Sequence, residues 1–130
     1  MVVTEKEHIV IHYAVLLPIV KKVLALDTEA LKSSGFRLQE PYERLFHQAF
    51  DALQHDLCQL RLYMNRKNIH ITFDRNDDIF THYVYYLDGG SGRTSHLNAN
   101  LKKQTERCLH LYFAGRSALT NDEVLHPASV

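Results

Sequence analysis

Residues 41–74 read PYERLFHQAFDALQHDLCQLRLYMNRKNIHITFD, and inside this stretch the spacing of apolar residues changes. Tyr42, Phe46, Ala49, Leu53, Leu57, Leu60 and Met64 recur at steps of four and three. That is one face of an α-helix, with a period of about 3.6 residues. Pro41 suits the first turn, where its missing N–H would have no partner anyway. The spacing predicts a long helix that stops around Asn65 to Asn68. From Ile69 the period is two: Ile69, Ile71 and Phe73 alternate with His70, Thr72 and Asp74, the mark of a half-buried strand.

The reading extends outward from this switch. Asp74 to Asp78 forms a charged turn, and Ile79 to Leu87 is a β-branched and aromatic run. Together they predict a β-hairpin at residues 69–87, joined by a loop of about four or five residues. A lone hairpin is marginal in water, so it must pack on helices. Upstream, Thr4 and Glu7 have the spacing of a capping box ahead of an apolar run, which starts a first helix. Pro18 predicts a kink or break near Leu17, and Gly35 is placed to end the helix in a left-handed cap. Downstream, Asp88 to Arg93 reads as a flexible connection, and Thr94 or Ser95 can cap a third helix. Its apolar face would be Leu97, Leu101, Cys108, Leu109, Tyr112 and Phe113, with Gly115 at its end. The expected class is α+β, mainly α: a long helical hairpin, then a β-hairpin, then a third long helix. Residues 1–115 would form a single domain and 116–130 a mobile C-terminal tail.

Composition bounds the function. The 130 residues are 45% hydrophobic and 23% charged, ordinary for one globular domain. Lys+Arg and Asp+Glu are both 15, which argues against a strongly basic nucleic-acid binder and against an acidic tail. The apolar run from Ile9 to Val20 falls short of the roughly 20 residues a bilayer span needs. The preceding Thr4-Glu5-Lys6-Glu7 is not the cationic start of a signal peptide. The expectation is a cytoplasmic protein with no membrane partner. Cys58 and Cys108 are expected as reduced thiols at or near the core.

Three constellations could carry chemistry. His47, Asp51 and His55 stand at four-residue steps on helix two and could begin a metal site. A solvated helical face explains them more simply. Gly89 to Ser95, with Arg93 and two hydroxyls, could cradle an anion. It lacks the lysine and spacing of a phosphate loop, so a linker is the plainer reading. Arg66, Lys67, Arg93, Lys102, Lys103 and Arg107, with Tyr83, Tyr85 and Tyr86 between them, could form a nucleic-acid surface. No hydrolase, metalloprotease or dinucleotide-binding motif is present, so no catalysis and no cofactor are expected.

One resemblance adds to this. The segments Leu17-Pro18-Ile19-Val20 to Leu31, Phe36 to Tyr42, LRLYMNRKNI at 60–69, and Asn100-Leu101 to Tyr112-Phe113 resemble the YhjD-type small uncharacterised proteins of spore-forming bacilli. The resemblance covers roughly residues 15–113 and transfers no site residue. It implies a cytosolic Bacillus-type protein with a link to sporulation. The leading expectation is a non-catalytic interaction or regulatory module that self-associates or takes a protein partner. Tyr13, Leu16, Ile19 and Val23 would supply the excess apolar surface. A nucleic-acid-binding module and a histidine-based metal protein are the alternatives.

Overall fold

A computed structural model of the chain describes residues 3–121. The architecture is α+β and mainly helical. Its elements are α1 (Glu5–Lys32), α2 (Glu40–Arg66), β1 (His70–Asn76), β2 (Phe80–Leu87), β3 (Gly90–Leu97), α3 (Asn98–Phe113) and α4 (Ala118–Asn121). The strands form one antiparallel sheet in the order β1-β2-β3.

α1 begins as its sequence dictates. Glu7 N–H donates to the Thr4 hydroxyl at 3.1 Å, and Thr4 N–H donates to the Glu7 carboxylate at 3.0 Å. The helix then runs unbroken through Pro18. Pro18 is exposed, so its ring lies on the solvated side of the helix and only one backbone hydrogen bond is lost. The expected break is therefore absent. Gly35 does not have a left-handed backbone, and the helix ends earlier, at Ser33.

α1 is also the centre of the molecule. Val10, Ile11, Tyr13, Ala14, Val15, Leu16 and Leu17 are all buried, followed by Val20 and Leu24. α2, α3 and β1 all pack on it. Tyr13 and Leu16, expected as excess surface, are thus core residues, and Ile19 and Val23 are half-buried. The helix is long and apolar enough to cross a membrane by length and composition alone, with a mean hydropathy of 2.0 over its best 18 residues. In this fold, 44% of that window is buried.

α2 contributes Ala49, Leu53, Leu57, Leu60 and Tyr63 to the core. It ends in a double cap. Ile69 N–H reaches the Met64 carbonyl at 2.8 Å and Asn68 N–H reaches that of Asn65, with Asn68 left-handed at φ 58°. This reversal delivers Ile69 into the core and starts β1. Cys58, expected at or near the core, is exposed, because it lies one residue round the helix from the buried Leu57; Cys108 is buried.

The largest departure from expectation is the third strand. Gly90–Leu97, read as a linker and helix cap, pairs with β2 from Leu87↔Gly90 to Phe80↔Leu97. The β-hairpin of 69–87 is two-thirds of a three-stranded sheet. Gly92 is needed there, because a Cβ would collide with the ring of Tyr85. The bare glycine lets that ring lie across the edge strand. α3 then starts at Asn98 without a side-chain N-cap, so neither Thr94 nor Ser95 serves as one. Leu97, expected on the apolar face of α3, is exposed on the sheet. Asn98 instead accepts from the Thr81 hydroxyl at 2.6 Å and donates to the Asp77 carbonyl at 3.1 Å.

The buried carboxylate of Asp56 ties the C-terminal elements to α2. It is 2% exposed, and accepts from the Tyr112 hydroxyl at 2.8 Å and the Ser117 hydroxyl at 2.7 Å. Burial, with Asp56 beside it, keeps the Tyr112 phenol protonated far above its usual range. Ala118 and Leu119 are buried, so the expected tail from residue 116 is packed through α4. Its remainder, 122–130, lies outside the described residues.

Removing this acceptor strands a buried hydroxyl. Asp56→Ala is expected to lower unfolding free energy by about 1–3 kcal/mol and to speed amide exchange over residues 117–121. An unchanged denaturation midpoint would show that the contact does not hold α4.

Candidate functional site

α3 is shorter than the helices it packs on. At 1.5 Å per residue its 16 residues span about 24 Å, against about 40 Å for the 27 of α2. It ends with Phe113 against Phe46, ring centroids 5.3 Å apart. Beyond that point the trough between α1 and α2 is uncovered. It forms a groove of about 620 Å³ with Ala25, Thr28, Phe46 and Phe50 in its lining. Its rim carries both signs of charge: Glu29 pairs with Lys32 and Glu40 with Arg44, and Glu43 stands beside them. Around the same end of the hairpin, Leu26, Phe36, Leu38, Tyr42 and Leu45 are exposed, and the Phe36 ring lies tilted against that of Tyr42, centroids 5.2 Å apart.

The sheet offers a second surface. Strand alternation turns Thr81, Tyr83, Tyr85 and His96 inward. His96 meets His12 of α1 there, ring centroids 6.0 Å apart. Burial, and secondarily the charge of His12, holds the His96 imidazole below its ordinary value. The outer face shows Phe80, His82 and Tyr86, with Arg75, Arg93 and Ser95 across from them. Of the three tyrosines expected as a stacking platform, only Tyr86 faces outward and is exposed.

The structure does not gather the expected nucleic-acid residues. Arg66 and Lys67 lie at the end of α2, by the Asp88-Gly89 turn, to which Asn68 bonds at 3.0 Å. Lys102 and Lys103 lie in the first turns of α3, at the opposite end of the strands, roughly 25 Å away at 3.3 Å per residue. Arg93 is paired with Asp74 at 3.3 Å, and Arg107 is half-buried beside the Cys108 thiol. The proposed metal residues His47, Asp51 and His55 are exposed on α2, with His47 on Asp51 at 3.4 Å. Among the described residues, no group of three His, Cys, Asp or Glu side chains is arranged to hold a metal.

The model of the YhjD protein family matches residues 2–117. The chain belongs to the YhjD family. A relative from Bacillus subtilis (strain 168), named "Uncharacterized protein YhjD", is 25% identical over 108 residues, covering 83% of this chain and 90% of the relative. No solved structure matches. The family match spans α1 through Ser117, so this YhjD-family fold includes the sheet and the groove alike.

One polar group missed in the sequence is Asp77, in the β1–β2 turn. His82, then the backbone N–H groups of Phe80 and Ile79, hold its carboxyl at about 2, below the ordinary 3.8. The ionised form is the one the fold favours. Its contribution is complete above pH 3.8 and disappears as pH falls through about 2. A carboxyl NMR titration is expected to place Asp77 near that lower value. A midpoint near 4 would show that the turn does not hold the carboxylate.

Proposed function

We propose that this YhjD-family chain is a protein-interaction module that pairs with a second copy of itself through the open end of the α1–α2 hairpin. The observation that supports this reading is the uncovered groove beyond Phe113, with Phe46 and Phe50 in its lining and exposed Leu38, Tyr42 and Leu45 nearby. Large apolar side chains clustered around an open groove mark association surfaces. The rim favours a second copy over a partner of one charge. A two-fold interface places each patch on its own image, so it needs both signs of charge in the same patch. Glu29, Glu40 and Glu43 with Lys32 and Arg44 meet that need. Docking would seat the aromatic residues of one tip in the groove of the other, in the manner of an apolar anchor in a groove.

Sedimentation at high micromolar concentration is expected to show a dimer. Leu38→Asp and Tyr42→Asp, both at exposed positions, are expected to weaken it about 30-fold each, equivalent to ~2 kcal/mol, without loss of helical circular dichroism. A monomeric wild type, or a dimer indifferent to both changes, would overturn the reading.

A further inference from the structure

The strand register sets three side chains in a row across the outer face of the sheet: Arg75 opposite His82, and His82 opposite Ser95. His82 Nδ1 lies 2.6 Å from the Ser95 hydroxyl, and its Nε2 lies 2.9 Å from the Asp77 carboxylate. The other Asp77 oxygen accepts the N–H groups of Ile79 and Phe80 at 2.9 and 2.6 Å. Asp77 is therefore an ionised acceptor, so Nε2 carries the proton and the Nδ1 lone pair faces the hydroxyl. The imidazole is mostly covered, 17% exposed, whereas Ser95 is exposed on the edge strand β3. A solvent-facing hydroxyl on a histidine that a carboxylate orients is the arrangement that activates a serine nucleophile.

We propose that Ser95 is an activated nucleophile that accepts acyl groups from small anionic activated acyl donors, acyl phosphates being the model. His82 would take the Ser95 proton as Oγ bonds to the acyl carbon. The bond to the leaving phosphate then breaks, and His82 returns the proton to it. Water, deprotonated by the same imidazole, then bonds to the acyl carbon; the Oγ–acyl bond breaks, His82 returns the proton to Oγ, and the acyl group leaves as a carboxylic acid. Asp77 is a positioning residue that fixes the tautomer. Arg75 supplies the preference for an anionic donor. It is exposed, makes no ion pair among the described residues, and stands two strand spacings, or about 10 Å, from Ser95. Its long side chain can reach the phosphate of a donor whose acyl carbon lies at Ser95. Activated donors suit a flat site, because their leaving group departs with little added stabilisation of the developing oxyanion. This activity is separate from pairing through the groove, whose lining comes from α1 and α2 alone.

The test treats the full chain with acetyl phosphate and, separately, with p-nitrophenyl acetate, and maps acetylated serines by mass spectrometry. Ser91, exposed on the same strand and face, is the internal reference. Ser95 is expected to acetylate about 100-fold faster than Ser91, the lower range of general-base assistance. The advantage is expected to fall on acidification, because a protonated imidazole cannot accept the hydroxyl proton. Ser95→Ala is expected to remove the adduct. His82→Gln is expected to bring Ser95 to the Ser91 rate, and Asp77→Asn to slow it at least tenfold. Should His82→Gln unfold, the Ser95 to Ser91 ratio in the wild type and its pH profile decide. Equal labelling of the two serines, or a ratio flat with pH, would overturn the proposal. Arg75→Gln is expected to remove the preference for acetyl phosphate over the neutral ester; a wild type with no such preference would overturn the donor class.

Discussion

The central constraint is that α1 is apolar around nearly its whole circumference between Val10 and Leu17. A helix with a single apolar stripe needs one neighbour. A helix buried on most sides needs walls on several. α2 and α3 supply two. The small sheet meets α1 at His12, with His96 and Tyr83 on its inner face and Ile69 leading into it. The sheet is thus part of the core wall, and its depth of burial follows from the composition of the first helix.

Two polar devices hold this arrangement in register. Asp56 bonds side chains 56 and 61 residues away in sequence, which fixes α3 and α4 against α2. Asn98 bonds Thr81, Asn76 and the Asp77 backbone, and so fixes the start of α3 on the sheet. A buried carboxylate with several donors rigidifies its surroundings, because each donor would otherwise be stranded. The helices therefore have defined ends, and the trough between α1 and α2 is open for a geometric reason: α3 stops at Phe113 and nothing described fills the space beyond it.

Much of this was legible from residue spacing. The change of period near Ile69, the Thr4–Glu7 box, the α2 stripe from Phe46 to Met64 and the stop at Gly115 are local signals that match the structure, whereas Tyr42, at the head of that stripe, is exposed. β3 was not, because Gly90-Ser91-Gly92 has poor strand propensity and is drawn into the sheet by its neighbour β2. One clue was available: Asp88-Gly89 between two runs is a hairpin signal, and it forms the two-residue turn here. The side chains around His82 were illegible. Asp77, His82 and Ser95 belong to three separate segments, and only the register that depends on β3 brings them within hydrogen-bond distance. Asp56 had no signal either, since its partners lie beyond residue 110. The apolar surface expected at Tyr13, Leu16, Ile19 and Val23 is buried or half-buried. A helix surrounded on several sides hides its surplus, and the uncovered apolar groups lie instead at the hairpin tip.

The position of α1 in the chain has a consequence for synthesis. The helix that most needs covering is made before every element that covers it. About 100 residues separate Val10 from Tyr112, so at 5–20 residues per second the nascent chain carries an uncovered apolar helix for roughly 5–20 seconds. α2 can shield one side early, as a local hairpin partner. The sheet and α3 arrive last, and with them the remaining walls of the core. Mutations that slow closure of the sheet lengthen that interval.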